Sequence, residues 1–155
     1  ERKPEAVELL RKNREHFHMD NMEIIEALAP EGLEELPVPT HAFIGGSGGR
    51  LMDILQTLYR KNPHMRIVIN AISMETIAEL QEVLEAFPVE DEEILQMQVN
   101  RVKKLGSYHL PQAENPVWIC SFTFREGETG SMNKVKKALL TEEENGNRKN
   151  GEVQR

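Results

Sequence analysis

Five consecutive residues, Gly45-Gly46-Ser47-Gly48-Gly49, are the part of this sequence best suited to chemistry. Backbone without side chains lets a bulky ligand come close. A loop that leads into a helix also points amide N–H groups and the positive end of the helix dipole at a ligand. The Lys-Ser/Thr pair of a phosphate-binding P-loop is missing. The five residues do match Gly-x-Ser-x-Gly, the turn that carries the nucleophile of serine hydrolases. Ser47 would be that nucleophile, with Asp91 or a nearby Glu and then His109 following in the matching order, although no His-Gly-Gly segment precedes the loop. From these residues three readings stay open: a binding turn, a tight turn without chemistry, and a hydrolase elbow.

A second cluster lies downstream. Arg101, Lys103, Lys104 and His109 fall close together beside Tyr108. Such a group either contacts an anionic ligand or protects a strand edge, since exposed lysines discourage edge pairing. No pair of carboxylates stands at a spacing that suggests general acid–base work. Tyr108 and His109 are the candidates for proton transfer.

The elements that must position these residues alternate. Pro4 opens a helix with Val7, Leu10 and Phe17 near one face. Met22 to Ala27 reads as a short strand, and the Pro/Gly-punctuated stretch Ala29 to Pro39 has room for one helical turn. Thr40 to Ile44 is a second strand and enters the glycine loop. Leu51, Ile54, Leu55 and Leu58 then have the i, i+3, i+4, i+7 spacing of an amphipathic helix, stopped by Asn62-Pro63. Met65 to Ile72 is a continuous apolar run, the pattern of a strand covered on both faces. Ser73 is an N-cap for a helix that buries Ile77, Leu80, Leu84 and Phe87 before Pro88. Leu95, Met97 and Val99 alternate with polar residues as in a half-exposed strand, and Val117 to Phe124 is another strand after a loop. With no helix between them, the last two strands pair antiparallel. The alternation predicts a largely parallel sheet flanked by helices. It begins on a helix, where a doubly wound sheet leads with strand, glycine-rich turn and helix.

The chain of 155 residues is one domain's worth and carries a net charge of −7. That balance argues against nucleic acid as the main partner. No apolar stretch approaches the roughly 20 residues that span a bilayer, and no signal peptide is visible. One cysteine, Cys120, makes no internal disulfide, and no Cys/His cluster has zinc spacing, so no metal is expected. The expectation is a cytoplasmic protein.

Several segments, in this order and spacing, resemble one family. They are Ala42-Phe43-Ile44-Gly45-Gly46-Ser47-Gly48-Gly49, Arg66-Ile67-Val68-Ile69-Asn70-Ala71, Gln98-Val99-Asn100-Arg101, Lys104-Leu105-Gly106 and Ala113-Glu114-Asn115-Pro116-Val117. The family is the decarboxylating precorrin methyltransferases, which methylate C15 as a separate subunit or as half of precorrin-6Y C5,15-methyltransferase. The resemblance covers residues 1 to about 124. It implies a Rossmann-like class I fold of α/β type, with a sheet that ends in an antiparallel strand pair. It implies S-adenosylmethionine as cofactor, a tetrapyrrole substrate that is also decarboxylated at the C12 acetate, and a homotetramer.

Carried over residue by residue, the resemblance assigns Glu1 to the ribose hydroxyls and the Ala29-Pro30 loop to the adenine, with Leu28 where many relatives are polar. It sets Gly45, Gly46 and Ser47 beside the reactive methyl group, and Gly48 and Gly49 toward the substrate. Precorrins carry many carboxylates, so Arg101, Lys103 and Lys104 are expected to bind them. Against the family's pattern, the first strand, its Gly-x-Gly loop, the next helix and the second strand are absent. The expectations are therefore a partial methyltransferase domain over residues 1–124 that is inactive alone, and a polar, flexible tail over 125–155 with a short helix near Val135–Leu140. A non-catalytic assembly piece is the other reading.

Overall fold

The computed structural model describes residues 1–127. The expected tail, and the helix read near Val135–Leu140, lie outside the described residues from 128 onward. The elements are α1 (Pro4–His16), β1 (His41–Ile44), α2 (Leu51–Lys61), β2 (Arg66–Ala71), α3 (Met74–Ala86), β3 (Val89–Met97), β4 (Asn100–Leu105), β5 (Tyr108–Ala113) and β6 (Val117–Phe124).

β1, β2, β6 and β3 form one sheet in that order, with β1 and β2 parallel and β6 antiparallel to both β2 and β3. Ile67, Ile69 and Phe122 point to one face of the sheet. They meet Leu51, Ile54, Leu55 and Leu58 of α2 and Leu80 and Val83 of α3 in a single core. Both helices bring their apolar stripe to this face, as the 3.6-residue spacing requires. Arg66, Val68 and Asn70 of β2 point to the other face and are half-buried, so the apolar run of Met65 to Ile72 is fully covered on one face, not on two.

The ends of α2 and α3 follow the sequence. Asn62 caps α2, and its Nδ2 donates to Pro39 O at 2.8 Å. Ser73 Oγ accepts from Thr76 N at 3.2 Å, which satisfies one of the free amides at the start of α3.

Four further sequence expectations change. Met22 to Ala27 is not a strand of the sheet; apart from the local bond Met22 N to Met19 O (3.1 Å), its backbone hydrogen bonds among the described residues are Glu1 N to Ile25 O (3.0 Å) and Ala27 N to Glu1 O (3.1 Å), too few for a ladder. Phe17 ends α1 instead of continuing its buried face, and it is exposed with its ring edge-on to His16. The exposed strand begins at Val89 because pairing with β6 extends across the acidic run, with an irregularity between Glu90 and Glu93. The loop before Val117 contains a hairpin, β4–β5, closed at Gly106-Ser107 with Gly106 at φ 61°. A glycine at positive φ is what a two-residue hairpin turn requires.

Candidate functional site

β1 delivers the glycine loop to the carboxyl end of the parallel pair, where ligands bind in open α/β sheets. Gly48 and Gly49 stand at φ 61° and 80°, a region that side-chain-bearing residues enter at a cost. Gly46 has no such need, yet a Cβ there would meet nothing within 4 Å. The chain's own packing does not call for glycine at Gly46, and the space above it is open.

Ser47 is almost fully buried under the loop, and its Oγ donates to Glu79 Oε2 at 3.3 Å. Glu79 Oε1 also lies 3.8 Å from the point where a Cβ on Gly49 would stand. α3 therefore supports the loop from below. No histidine is hydrogen-bonded to Ser47 among the described residues, so the arrangement lacks the nucleophile–base pair of a hydrolase.

The candidate cofactor residues form a connected rim. Glu1 is held beside residues 25–27 by its backbone bonds. Its Oε1 accepts from Lys3 N (2.9 Å) and Arg2 N (3.0 Å), and these amides hold the carboxyl below its usual range. Oε2 has no partner among the described residues. Leu28 is half-exposed, and Ala29 packs on the core. Glu31 then takes both of its oxygens to Arg50 Nη1, at 2.9 and 2.8 Å. Its own backbone N–H and then Arg50 hold the Glu31 carboxyl below its usual range. Arg50 N donates to Ser47 O at 3.2 Å, so this ion pair fastens the Ala29-Pro30 segment to the glycine loop. Lys61 Nζ pins the far side of the same segment through Glu34 O and Leu36 O, both at 2.7 Å.

The basic cluster is divided by the hairpin. Register sets Arg101, Lys103 and Tyr108 on one face and Lys104 and His109 on the other. Arg101 Nε is bonded to Glu114 Oε1 at 2.9 Å. The hairpin leaves the sheet at the same end as the glycine loop, because Met97 and Val117 lie beyond the row Ile44–Ile69–Cys120–Ile94. No hydrogen bond among the described residues joins hairpin and loop. The glycines are exposed, so the site is an open shelf. A surface depression of about 360 Å³ lined by Tyr59, Arg60, Pro63 and Glu126 sits at the far end of α2 and takes no part in it.

Sequence reasoning missed Glu31, Arg50 and Glu79. Arg50 was accessible as the basic residue directly after the glycines. Glu79 had no signal, because only folding brings α3 under the loop.

No three His, Cys, Asp or Glu side chains among the described residues group as a metal site. No helix of the described residues is long and apolar enough to cross a membrane.

Comparison with known proteins bears on what the shelf belongs to. The model of the precorrin methyltransferase domain matches residues 1–123. A Methanothermobacter thermautotrophicus protein named probable cobalt-precorrin-6B C(15)-methyltransferase (decarboxylating) is 34% identical over 119 residues, 76% of this chain and 62% of that protein. The crystal structure of precorrin-6y C5,15-methyltransferase from Geobacter metallireducens GS-15 has a TM-score of 0.71 at 35% identity, over 79% of this chain and 64% of that one. A SAM-dependent O-methyltransferase from Thermotoga maritima, at 10% identity and a TM-score of 0.58, shares the fold, which is thus the Rossmann-like methyltransferase type. The chain therefore spans under two thirds of the length of the relatives it matches. An open glycine loop at the carboxyl end of a parallel strand pair, carried on a sequence that matches along residues 1–123, makes this chain a member of the precorrin methyltransferase family.

Proposed function

We propose that this chain is the partial methyltransferase domain of a protein that methylates C15 of a precorrin or cobalt-precorrin and removes its C12 acetate carboxyl as CO2, a step in cobalamin biosynthesis. The observation that carries this reading is the empty space over Gly46, in a loop anchored from below by Ser47 and Glu79, on a chain of this family. S-adenosylmethionine would supply an electrophilic methyl group on a sulfonium. The residues fit such a cofactor, since a side chain at Gly46 would fill the space a ligand needs.

Glu1 offers Oε2 to the ribose hydroxyls, Leu28, Ala29 and Pro30 border the adenine, and Gly45, Gly46 and Ser47 line the reactive end. Gly48 and Gly49 face the tetrapyrrole. Arg101, Lys103 and Lys104 bind its carboxylates, with Arg101 and Lys103 acting together on one hairpin face. Loss of CO2 leaves an electron pair that the conjugated ring can take up, and a proton must then be returned to carbon. Tyr108 and His109 are the proposed donors; they lie on opposite faces, so one of them serves at a time.

The assembled state is a homotetramer, and the compartment is the cytoplasm, supported by a single, buried cysteine. The activity test is product mass after incubation of the complete protein with S-adenosylmethionine and a precorrin. Gain of one methyl and loss of CO2 is expected, and an unchanged substrate would reject the reading. Arg101→Ala in that protein should raise KM for the precorrin and leave kcat nearly unchanged. An unchanged KM would remove Arg101 from the site.

A further inference from the structure

A loop that runs into the start of a helix ordinarily favours an anion, because free amides and the positive end of the helix dipole lie there. The glycine loop runs into α2 through Arg50 in this way. The side chain beneath it works in the opposite sense. Glu79 rises from α3, with Oε2 3.3 Å from Ser47 Oγ and Oε1 3.8 Å from the point where a Cβ on Gly49 would stand. Arg50, the cation next to the loop, is already paired: its guanidinium meets Glu31 at 2.8 Å and Asp53 at 3.5 Å. Glu79 forms no ion pair among the described residues. Its carboxylate has no cation of its own to balance it.

Ser47 turns the same way. A serine hydroxyl has one proton and two lone pairs. The proton of Ser47 goes to Glu79, so lone pairs are what it can offer a third group. Ser47 is almost fully buried and Glu79 half-buried. Charges that are partly withdrawn from water act more strongly than charges on the open surface. The underside of the loop therefore suits a positive group.

The two forms of the cofactor differ in that respect. S-adenosylmethionine carries a positive sulfonium. Transfer of its methyl group to carbon leaves the electron pair of the broken C–S bond on sulfur. The product, S-adenosylhomocysteine, is a neutral thioether that is otherwise the same molecule. We propose that Glu79 is a specificity-determining residue whose carboxylate, beneath Ser47 and Gly49, favours the methylated cofactor over the demethylated one. The preference disappears with the methyl group, which promotes exchange of product for fresh cofactor. This deepens, and rests on, the methyl transfer proposed above and the placement of Gly45, Gly46 and Ser47 at its reactive end.

The test is calorimetric titration of the complete protein with each cofactor form separately, without precorrin. The ratio of the two affinities isolates the charge at sulfur, since a merely structural role of Glu79 would move both affinities alike. Glu79→Gln keeps the size of the side chain and an oxygen for the Ser47 proton, but not the charge. It should weaken S-adenosylmethionine by at least about fivefold and leave S-adenosylhomocysteine within about twofold, with an unchanged thermal midpoint. Glu79→Asp keeps the charge and should keep most of the ratio. Glu79→Ala, which also loses the bond to Ser47, should lower the ratio as Glu79→Gln does, and it carries the test should the Gln variant not fold. A ratio that stays at the wild-type value in the neutral variants, or that falls as far in Glu79→Asp as in Glu79→Gln, overturns the role of the charge and leaves the methyl transfer standing. A wild type that binds neither form overturns both.

Discussion

Gly46 separates ligand need from folding need. Its backbone is not in the left-handed region, and a side chain there would meet nothing in the protein. Gly46→Val should leave the thermal midpoint of the chain nearly unchanged. In a cofactor-binding form it should weaken S-adenosylhomocysteine by about tenfold or more, roughly 1.4 kcal/mol; calorimetry reads the second effect and a melt the first. Gly48→Ala should do the reverse, with a stability cost of about 1 kcal/mol from its positive φ. Cys120 is a different kind of residue. Burial, with the charge of Glu92 adding and Arg66 opposing, pushes its thiol from 9.0 up to about 11. The folded form therefore holds the proton more tightly than the unfolded form. Its contribution to stability is complete below about pH 9 and fades as pH rises through about 11. Urea titrations at stepped alkaline pH should show that loss, and Cys120→Ala should lessen it. An equal slope in the variant would assign the loss to other groups.

Among the elements, the helices were legible because their periodicity and their punctuation agree. Leu51, Ile54, Leu55 and Leu58 are all buried as spaced, and Ser73 caps α3 as its type suggests. Ser73→Ala should cost about 1 kcal/mol, and Leu55→Ala, in the fully buried stripe, about 2–5 kcal/mol. Chemical denaturation measures both, and similar values for the two would contradict the placement of the core. The strands were less legible. Met22 to Ala27 has the residues of a strand, but strand formation depends on a neighbouring strand, and beyond a local turn at Met19 its backbone finds Glu1 alone among the described residues. The β4–β5 hairpin carried a local signal: Gly106-Ser107 between Leu105 and Tyr108 is a two-residue turn of a type that joins paired strands. Its basic residues suggested a loop, and pairing then placed neighbours such as Lys103 and Lys104 on opposite faces.

For the whole molecule, the sequence disclosed the family and the glycine loop because both are local strings. It did not disclose the supports of the site, since Glu79 reaches Ser47 across 32 positions and Arg50 reaches Glu31 across 19. The Glu31 clamp should open as pH falls through the lowered range of that carboxyl, and hydrogen exchange over residues 27–36 should then quicken. The central claim is that the shelf made by Glu1, the Ala29-Pro30 segment and the glycine loop is one side of a cofactor site. The most direct measurement replaces the matching portion of the Methanothermobacter protein with residues 1–123 and titrates the folded chimera with S-adenosylhomocysteine by calorimetry. Saturable binding that Gly46→Val removes is the predicted result. A folded chimera that binds nothing, or that binds equally well with and without the Gly46→Val substitution, would contradict it.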